Sequence, residues 1–420
     1  MTEKTVPFSL GTVNAIKSSY STPFYIYDAP GLETCANDLY TAFSRTEGFK
    51  EYFAVKATPN PAILKLLASL GCGMDCASVA EVEMSRRCGI EGHNIMFSSN
   101  DTAPEDFRAA NDAGAIINLD DITHISMLEK VCGVPDTVCC RYNPGTFLIT
   151  NEIMGRLDDS KFGMTRVQLV QAMRILRGKG VKHFGVHAML ASSCLENVYY
   201  PHLAEELFGL ALELRDTLGI ELEFIDMSGG IGIPYLPEQT AVDIFSIGEG
   251  VREAYERLIT PSGMKIKLFT EMGRYITGPY GYLVTTVLHH KDVYKHYVGV
   301  DATACDLMRP AMYGSYHHIT VLGREDAECD TVCDVVGSLC ENNDKFAVDR
   351  FLPRTQEGDV LVLHDAGAHG RSMGYNYNGK LRCGEFLLEK NGEVRLIRRA
   401  ETVEDYFATL DIFPEFSKKG

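Results

Sequence analysis

The chain has 420 residues, of which 45% are hydrophobic and 23% are charged, and its formal net charge is −17. This is the composition of a globular protein long enough for two hydrophobic cores. Its acidic balance, without a basic block, argues against nucleic acid or an anionic membrane as a partner, and no apolar run reaches the roughly 18 to 20 residues of a membrane span. We therefore expect two domains that act on a small molecule.

The N-terminus and the cysteines predict a cytoplasmic protein. The opening MTEKTVPFSL has an early acidic residue and no continuous apolar stretch, so it does not resemble a secretion signal. Thirteen cysteines, an odd number, are scattered along the chain without a CxxC pair. This spacing favours thiols over a disulfide framework, and it predicts that the protein has no structural metal site.

From about residue 50 to 275, short apolar runs alternate with amphipathic stretches, which is typical of repeated βα units. Patterns such as NPAILKLLASLG place apolar residues at helical spacing and end on glycine. Eight parallel strands with helical crossovers predict an α/β fold of the TIM (β/α)8 barrel type, with an open doubly wound sheet as the alternative. The predicted strands are 51–58, 73–78, 95–100, 115–121, 138–144, 183–190, 223–230 and 267–274.

After about residue 280, predicted strands follow one another without helices between them. YLVTTVLHH, HHITVLG and DVLVLHDAG are three of these runs, and Asn391-Gly392 is a hairpin turn signal near the end. We therefore expect a barrel domain over 31–280 and a C-terminal β-sandwich or β-barrel-like domain over 281–420. The N-terminal segment, 1–30, is expected to pack with the β domain.

Polar residues at the ends of the predicted barrel strands form the candidate site, because these ends meet at one mouth of a barrel. Lys56 ends the first strand, Asp75 lies in the second and Glu271 in the eighth. Gly229 and Gly230 follow the seventh strand, where barrels commonly bind phosphate. A lysine, an acid and a phosphate-binding turn at one mouth suggest pyridoxal phosphate, which a lysine can bind covalently and a carboxylate can keep protonated at its ring nitrogen.

Seven motifs carry a resemblance to a known family. They are YFAVKATPNP, GMDCASVAEVE, SGGIGIPY, EMGRYITGPYGYLVT, DLMRPAMYGSYHHI, VVGSLCENNDKFAVDRFLP and DAGAHGRSMGYNYNG. Over nearly its whole length the chain resembles the diaminopimelate decarboxylases, within the fold type III, alanine-racemase-like group of pyridoxal-phosphate decarboxylases. The resemblance implies a barrel that binds pyridoxal phosphate, a β domain, and a homodimer whose active sites are shared across the interface.

The resemblance also implies roles for residues that contact the cofactor. Lys56 binds it covalently, Asp75 and Glu81 are acids near the ring, and Glu271 pairs with the pyridine nitrogen. A buried carboxylate at that position is tolerable because the pyridinium supplies its partner. The other implied cofactor contacts are Met189, Ser192, Gly229, Gly230, Gly273, Arg274, His369 and Tyr377.

Three positions depart from the family pattern. The family sequence HFHVGS is HAMLAS here, which places Met189 where a histidine usually stacks on the ring, and His187 takes that place only if the register shifts by two. A thioether is soft and polarizable enough to pack on a ring. His369 stands where the family has a tyrosine near the phosphate, and Tyr375 or Tyr377 are the candidates to compensate. The third departure is CENND in place of CESGD.

The resemblance assigns the substrate contacts to the second half of the chain. Arg309 and Tyr313 are implied to hold a distal carboxylate, a task that suits a planar guanidinium, with Arg274 as a further contact. Cys340 is implied to return the proton after carbon dioxide leaves, and Glu341 to bind the second amine. Relatives of the ornithine type have Asp directly after the cysteine that corresponds to Cys340, whereas the diaminopimelate type has Glu there. Glu341 therefore favours a substrate with amino-acid groups at both ends.

We therefore predict a lyase that converts meso-2,6-diaminopimelate to L-lysine and carbon dioxide, the last step of lysine biosynthesis. The nearest alternatives are a decarboxylase of another basic amino acid or of carboxynorspermidine, and an amino-acid racemase. The alternative outside enzymes is a decarboxylase-like regulatory binding protein. Such a protein need not keep the cofactor lysine, so the presence of Lys56 and Cys340 argues against it.

Overall fold

The computed structural model describes residues 4–146 and 156–410, and these form two compact units. The sheet unit contains the N-terminal residues up to Gly31, the short segment Tyr235–Gln239 and the chain from Thr277 onward. The barrel unit contains Thr240–Ile276 and the described residues of Leu32–Pro234.

Eight parallel strands of the barrel unit close into a barrel, which confirms the predicted TIM-like fold and excludes the open sheet. Numbered along the chain, they are β2 (Lys50–Ala54), β3 (Gly73–Cys76), β4 (Ile95–Ser99), β5 (Ile116–Leu119), β6 (Thr137–Arg141), β7 (His183–His187), β8 (Leu222–Asp226) and β9 (Lys267–Thr270). The barrel closes where β2 pairs with β9, with Lys50 opposite Phe269 and Glu51 opposite Thr270.

Helices lie before, between and after the strands of this barrel. They are α2 (Ala29–Ala42), α3 (Pro61–Ser69), α4 (Val79–Arg87), α5 (Pro104–Asp112), α6 (His124–Cys132), α7 (Arg166–Gly178), α8 (Tyr199–Leu218), α9 (Ile244–Leu258) and α10 (Gly273–Thr277). Local signals fix their ends: the Asn60 side chain caps α3, and α8 stops at Gly219 in the left-handed conformation. Within 4–146 and 156–410, no helix is long and apolar enough to cross a membrane.

The barrel strands are shorter than the sequence predicts, and this changes the setting of two candidate residues. β2 ends at Ala54, and Lys56 lies in a turn of 3-10 helix, Val55–Ala57, because Pro59 and the cap of α3 follow directly. β9 ends at Thr270, so Glu271 lies just beyond the strand. Both side chains therefore sit at the mouth of the barrel and not within a strand.

The sheet unit is β-rich, as predicted, and its strands form one nine-stranded mixed sheet. These strands are β1 (Phe24–Asp28), β10 (Gly281–Asp292), β11 (His296–Val300), β12 (Ile319–Val321), β13 (Thr331–Val336), β14 (Lys345–Leu352), β15 (Val360–Leu363), β16 (Gly384–Leu388) and β17 (Val394–Arg398). The helices of this unit are α1 (Leu10–Lys17), α11 (Arg309–Tyr313) and α12 (Val403–Phe407).

Strand β1 lies inside this sheet, although the sequence alone did not reveal it. It pairs antiparallel with β10 and parallel with β16. Phe24 and Ile26 pack in a core with Val284, Val362 and Phe386. Because parallel and antiparallel neighbours flank β1, residues from both ends of the chain build one hydrophobic core.

Candidate active site

Lys56 and Asp75 form an ion pair at the mouth of the barrel. The Lys56 Nζ donates a hydrogen bond of 2.9 Å to the Asp75 Oδ2. Lys56 follows strand β2, and Asp75 lies in strand β3, which pairs with β2. The Asp75 side chain is buried, whereas that of Lys56 is 48% exposed. Burial acts to lower the pKa of Lys56, but the carboxylates of Asp75 and Glu271 outweigh it and raise the pKa. The structure therefore presents a charged amine that a ligand can reach.

The pKa of the Asp75 carboxyl group lies near neutral pH. Burial and the nearby Glu271 carboxylate raise the pKa of Asp75 to about 7, although Lys56 opposes this shift. Glu81 lies close to the pair, where burial raises its pKa, and its Oε2 accepts a 2.7 Å hydrogen bond from the Ala77 amide. Both acids predicted to lie near the ring are thus close to Lys56.

Glu271 is a buried and ionised carboxylate. Its Oε2 accepts hydrogen bonds from the Ser228 hydroxyl at 2.6 Å and from the His187 Nε2 at 3.3 Å. Burial would raise the pKa of Glu271, but His187, Lys56 and the Ser228 hydroxyl outweigh it and lower the pKa to about 2. Within the described parts of the chain, the one hydrogen bond to the Oε1 of Glu271 is a long one, 3.5 Å from the Ser98 hydroxyl. The Oε2 of Glu271 is thus occupied by hydrogen bonds within the protein, whereas the Oε1 can accept a strong hydrogen bond from a ligand.

A second buried acid, Asp226, lies beside Glu271, and its pKa is shifted in the opposite direction. Its Oδ1 accepts a 2.7 Å hydrogen bond from the Ser228 amide, and no donor among residues 4–146 and 156–410 bonds its Oδ2. Burial and the Glu271 carboxylate raise the pKa of Asp226 well above its usual range. Ligand atoms of His187, Asp226 and Glu271 lie within 4.8 Å of one another, a spacing that a metal ion could bridge. The absence of a metal stays a prediction.

Glycines let three turns approach one another closely at this mouth. A Cβ on Gly229 would lie 2.5 Å from the Glu271 carbonyl oxygen, and a Cβ on Gly230, whose φ is +110°, would lie 2.7 Å from the Ala191 carbonyl oxygen. A Cβ on Gly273 would lie 2.8 Å from the Ala57 Cβ. The half-buried side chains of Ser192 and Arg274 belong to the same turns. The predicted phosphate contacts of the barrel therefore meet in one place.

The structure separates the roles of His187 and Met189. His187 is buried and bonds Glu271, whereas the Met189 side chain is only partly buried. Packing of Met189 on the ring stays a prediction. Sequence reasoning did not single out Asp226 or Ser98, although the two-residue period of a strand already places Asp226 on the same face as Ser228.

In the sheet unit, Arg309 opens helix α11 and is buried. Its guanidinium lies over the Tyr235 ring, 5.2 Å from the centroid, and its Nη2 donates a 3.3 Å hydrogen bond to the Ser315 hydroxyl. Tyr313, at the end of the same helix, is 59% exposed. Arg309 is therefore held in a fixed orientation, whereas Tyr313 faces the surface of the chain.

Cys340 and Glu341 lie in an ordered, exposed loop of the sheet unit. The Cys340 amide donates a 2.7 Å hydrogen bond to the Asn378 Oδ1, and Asn378 follows the 48% exposed Tyr377. The Glu341 Oε1 accepts a 3.0 Å hydrogen bond from the Asn343 amide. His369, with a φ of 54°, is partly buried. Arg309 apart, the sheet-unit candidates lie wholly or partly at the surface of the single chain.

The residues of the barrel mouth fit pyridoxal phosphate. Lys56 offers the amine for a covalent bond, and the Glu271 Oε1 offers an ionised acceptor for the ring nitrogen. Turns that pack too closely for any residue but glycine adjoin both groups, with Gly229 against the Glu271 carbonyl oxygen and Gly273 against Ala57, the residue after Lys56. This set of donors and acceptors matches both ends of the cofactor.

Known proteins share this architecture and these motifs. Residues 36–278 match the family model described as the pyridoxal-dependent decarboxylase, pyridoxal binding domain. Protein TabA of Pseudomonas amygdali pv. tabaci is 40% identical over 94% of this chain and 92% of its own length. The diaminopimelate decarboxylase of Methanothermobacter thermautotrophicus is 34% identical over 94% of each chain.

Solved structures agree with the sequence relatives. The diaminopimelate decarboxylase of M. jannaschii in complex with L-lysine superposes with a TM-score of 0.88 at 29% identity, over 96% of this chain and 95% of that one. The family model covers more than half of the chain, and relatives above 30% identity span nearly all of it. The chain therefore belongs to the fold type III pyridoxal-phosphate-dependent decarboxylases, the family that contains the diaminopimelate decarboxylases.

Proposed function

We propose that this lyase decarboxylates meso-2,6-diaminopimelate at its D-centre and releases L-lysine, the last step of lysine biosynthesis. Relatives named diaminopimelate decarboxylase, at 34% and 32% identity, support this substrate, as do the neighbouring structures of that enzyme with L-lysine bound. We place the enzyme in the cytoplasm, a compartment that suits its thirteen free cysteines.

The observation that carries the proposal is the buried guanidinium of Arg309. This guanidinium is held in a fixed orientation by Tyr235 and Ser315, and such a planar set of donors suits a carboxylate bound by two hydrogen bonds. Diaminopimelate carries a second carboxylate at the end of the molecule far from the reacting centre, whereas ornithine and lysine have only an amine at that end. Tyr313 on the same helix supplies a hydroxyl for the same carboxylate, and Glu341 supplies the anion for the distal amine.

The chain's own groups divide the reaction between them. When bound, pyridoxal phosphate supplies the electron sink for the pair left behind by carbon dioxide. Lys56 anchors the cofactor, and the ionised Glu271 keeps its ring nitrogen protonated. The turns that contain Gly229, Gly230 and Gly273 would hold its phosphate, with Ser192, Arg274, His369 and Tyr377 as further contacts. The thiol of Cys340 then returns a proton to the reacting carbon.

We propose further that the active enzyme is a homodimer with shared sites. Tyr313, Tyr377, Cys340 and Glu341 are exposed in the single chain, although groups that handle substrate work in surroundings from which water is excluded. A second copy that supplies Cys340 and Glu341 to the site containing Lys56 would cover them, and a closed two-fold interface does this for both sites at once.

A related amino acid is the second candidate substrate. Protein TabA is more similar to this chain than the two named decarboxylases above, and its name specifies no reaction. Met189 near the ring and the CENND sequence beside Cys340 also depart from the diaminopimelate pattern. A different amino acid that carries a distal carboxylate would still use Arg309.

Carbon dioxide release from a panel of amino acids tests this proposal. The purified enzyme with pyridoxal phosphate is given meso-diaminopimelate, ornithine, arginine, lysine or carboxynorspermidine, and kcat/KM is compared. We expect the highest value for meso-diaminopimelate, with L-lysine as the product. A higher value for any other member of the panel would overturn the substrate assignment.

The variant Arg309→Ala tests whether Arg309 binds the distal carboxylate of the substrate. We expect kcat/KM for diaminopimelate to fall by roughly 10- to 150-fold, which corresponds to a lost charge-assisted pair of about 1.5–3 kcal/mol. Any slow turnover of lysine, which lacks the carboxylate, should fall far less. Equal losses on both substrates would mean that Arg309 has a structural role.

A further inference from the structure

Glu51 is a fully buried acid at the seam where the barrel closes. Its relative exposure is 0%, and it stands opposite Thr270 in the pairing of β2 with β9. Burying a carboxyl group is costly unless hydrogen bonds satisfy it. The roles given above to Lys56 and Glu271 do not account for this residue.

Both oxygens of Glu51 bond residues that flank Glu271. The Oε2 accepts a 2.5 Å hydrogen bond from the Thr270 hydroxyl, and the Oε1 accepts a 2.7 Å hydrogen bond from the Met272 amide. On the other side, the Glu271 amide donates a 2.8 Å hydrogen bond to the Ser228 carbonyl oxygen. The backbone that carries Glu271 is therefore fixed from both neighbouring strands.

The same seam carries Lys56, five residues after Glu51 along the chain. The segment beyond Glu271 also packs on this part of the chain, because a Cβ on Gly273 would lie 2.8 Å from the Ala57 Cβ and 3.1 Å from the Ala54 Cβ. Hydrogen bonds and close packing thus join the turn of Lys56 to the turn of Glu271. Lys56 and Glu271 are the two groups proposed to hold opposite sides of the cofactor.

We infer that Glu51 is a positioning residue that sets the placement of Glu271 relative to Lys56 and thereby the fit of the cofactor. This inference rests on the proposed roles of Lys56 and Glu271. Burial raises the pKa of Glu51 well above its usual range, although its bonds with Thr270 and Met272 oppose the shift. A glutamine keeps an oxygen for the Met272 amide and offers an amide to the Thr270 hydroxyl, so it should preserve the placement.

Two matched pairs of variants test the inference. Glu51→Ala removes both hydrogen bonds and Glu51→Gln keeps them, while Thr270→Val removes one hydroxyl at similar volume and Thr270→Ser keeps it. Each apoenzyme is titrated with pyridoxal phosphate to give Kd, and borohydride reduction followed by peptide mass analysis gives the fraction labelled at Lys56. Melting temperatures are recorded with and without the cofactor.

We expect Glu51→Ala to raise the Kd at least tenfold and to reduce labelling at Lys56, because it removes the two hydrogen bonds that fix the residues on either side of Glu271. Thr270→Val should raise the Kd about threefold or more, and Glu51→Gln and Thr270→Ser should stay near the unaltered enzyme. If Glu51→Ala does not fold, the contrast between Thr270→Val and Thr270→Ser decides.

Glu51→Ala would overturn the inference if it lowered the melting temperature equally with and without cofactor and left the Kd and the labelling of Lys56 unchanged. Glu51 would then only stabilise the core. An unchanged Kd in Thr270→Val has the same meaning when Glu51→Ala is unfolded. Label on another lysine in the unaltered enzyme would instead overturn the proposed role of Lys56. The two failures are therefore distinguishable.

Discussion

The two units of this enzyme present their candidate groups in opposite ways. In the barrel unit, Asp75 and Glu271 are buried, and each is held by hydrogen bonds, from Lys56 to Asp75 and from His187 and Ser228 to Glu271. In the sheet unit, Tyr313 and Tyr377 are 59% and 48% exposed, and the loop of Cys340 is at the surface. The barrel mouth is thus preorganised within one chain, whereas these sheet-unit groups are exposed in one chain, which is what the proposed homodimer would require.

Mixed dimers test the sharing of sites most strongly. Homodimers of Lys56→Ala and of Cys340→Ala should each be nearly inactive, and exchange of subunits should restore about a quarter of the original activity, because about half of the dimers are mixed and half of their sites are intact. The activity after mixing is measured with differently tagged chains that report exchange. If subunits exchange and activity stays absent, each chain uses its own Cys340. The exposure of the sheet-unit groups in one chain would then have a cause other than a shared site.

A pair of amide substitutions tests the charge pattern of the barrel mouth. Glu271→Gln should lower kcat/KM by roughly 10²-fold, since it removes the ionised partner of the ring nitrogen. Asp226→Asn should cost about threefold or less, since burial and the Glu271 carboxylate raise the pKa of Asp226 and so favour its neutral form, and asparagine still accepts the hydrogen bond from Ser228. Steady-state kinetics on both variants give the comparison. Similar losses would show that Asp226 is also ionised.

The smallest expected effect concerns stability and pH, and it has opposite signs in the two units. In the sheet unit, burial, His318 and Lys4 lower the pKa of His364 to about 3, and its Nε2 hydrogen-bonds the Thr320 hydroxyl at 2.8 Å. Its contribution is therefore present above the unfolded pKa of about 6.5 and is lost as the pH falls toward 3. Relative to His364→Gln, the apoenzyme should lose up to about 2 kcal/mol between pH 6.5 and 5.

Asp75→Asn is the counterpart in the barrel unit. The folded pKa of Asp75, about 7, lies above its unfolded value, so its contribution is full below about pH 4 and is lost as the pH rises through 7. Relative to this variant, the apoenzyme should gain stability as the pH falls from 7 to 4. Denaturant unfolding at several pH values checks both signs, and the same sign in both units would contradict the assigned charge states.

The sequence predicted the barrel well because its strands are buried apolar runs separated by helical patterns. Strand β1, Phe24–Asp28, went unrecognised because it is isolated before the first barrel strand and pairs with segments more than 250 residues away. Lys56 and Glu271 could be identified from motifs, whereas Glu51 and Asp226 could not. The role of a polar residue within a strand can be assigned only when the strand register shows which groups its side chain contacts.

The glycine contacts of the mouth restrict how this enzyme can be redesigned. Gly229, Gly230 and Gly273 bring three turns together at distances that leave no space for a methyl group, so an insertion in one turn must displace the others. Attempts to change substrate preference by loop exchange should therefore leave these turns intact.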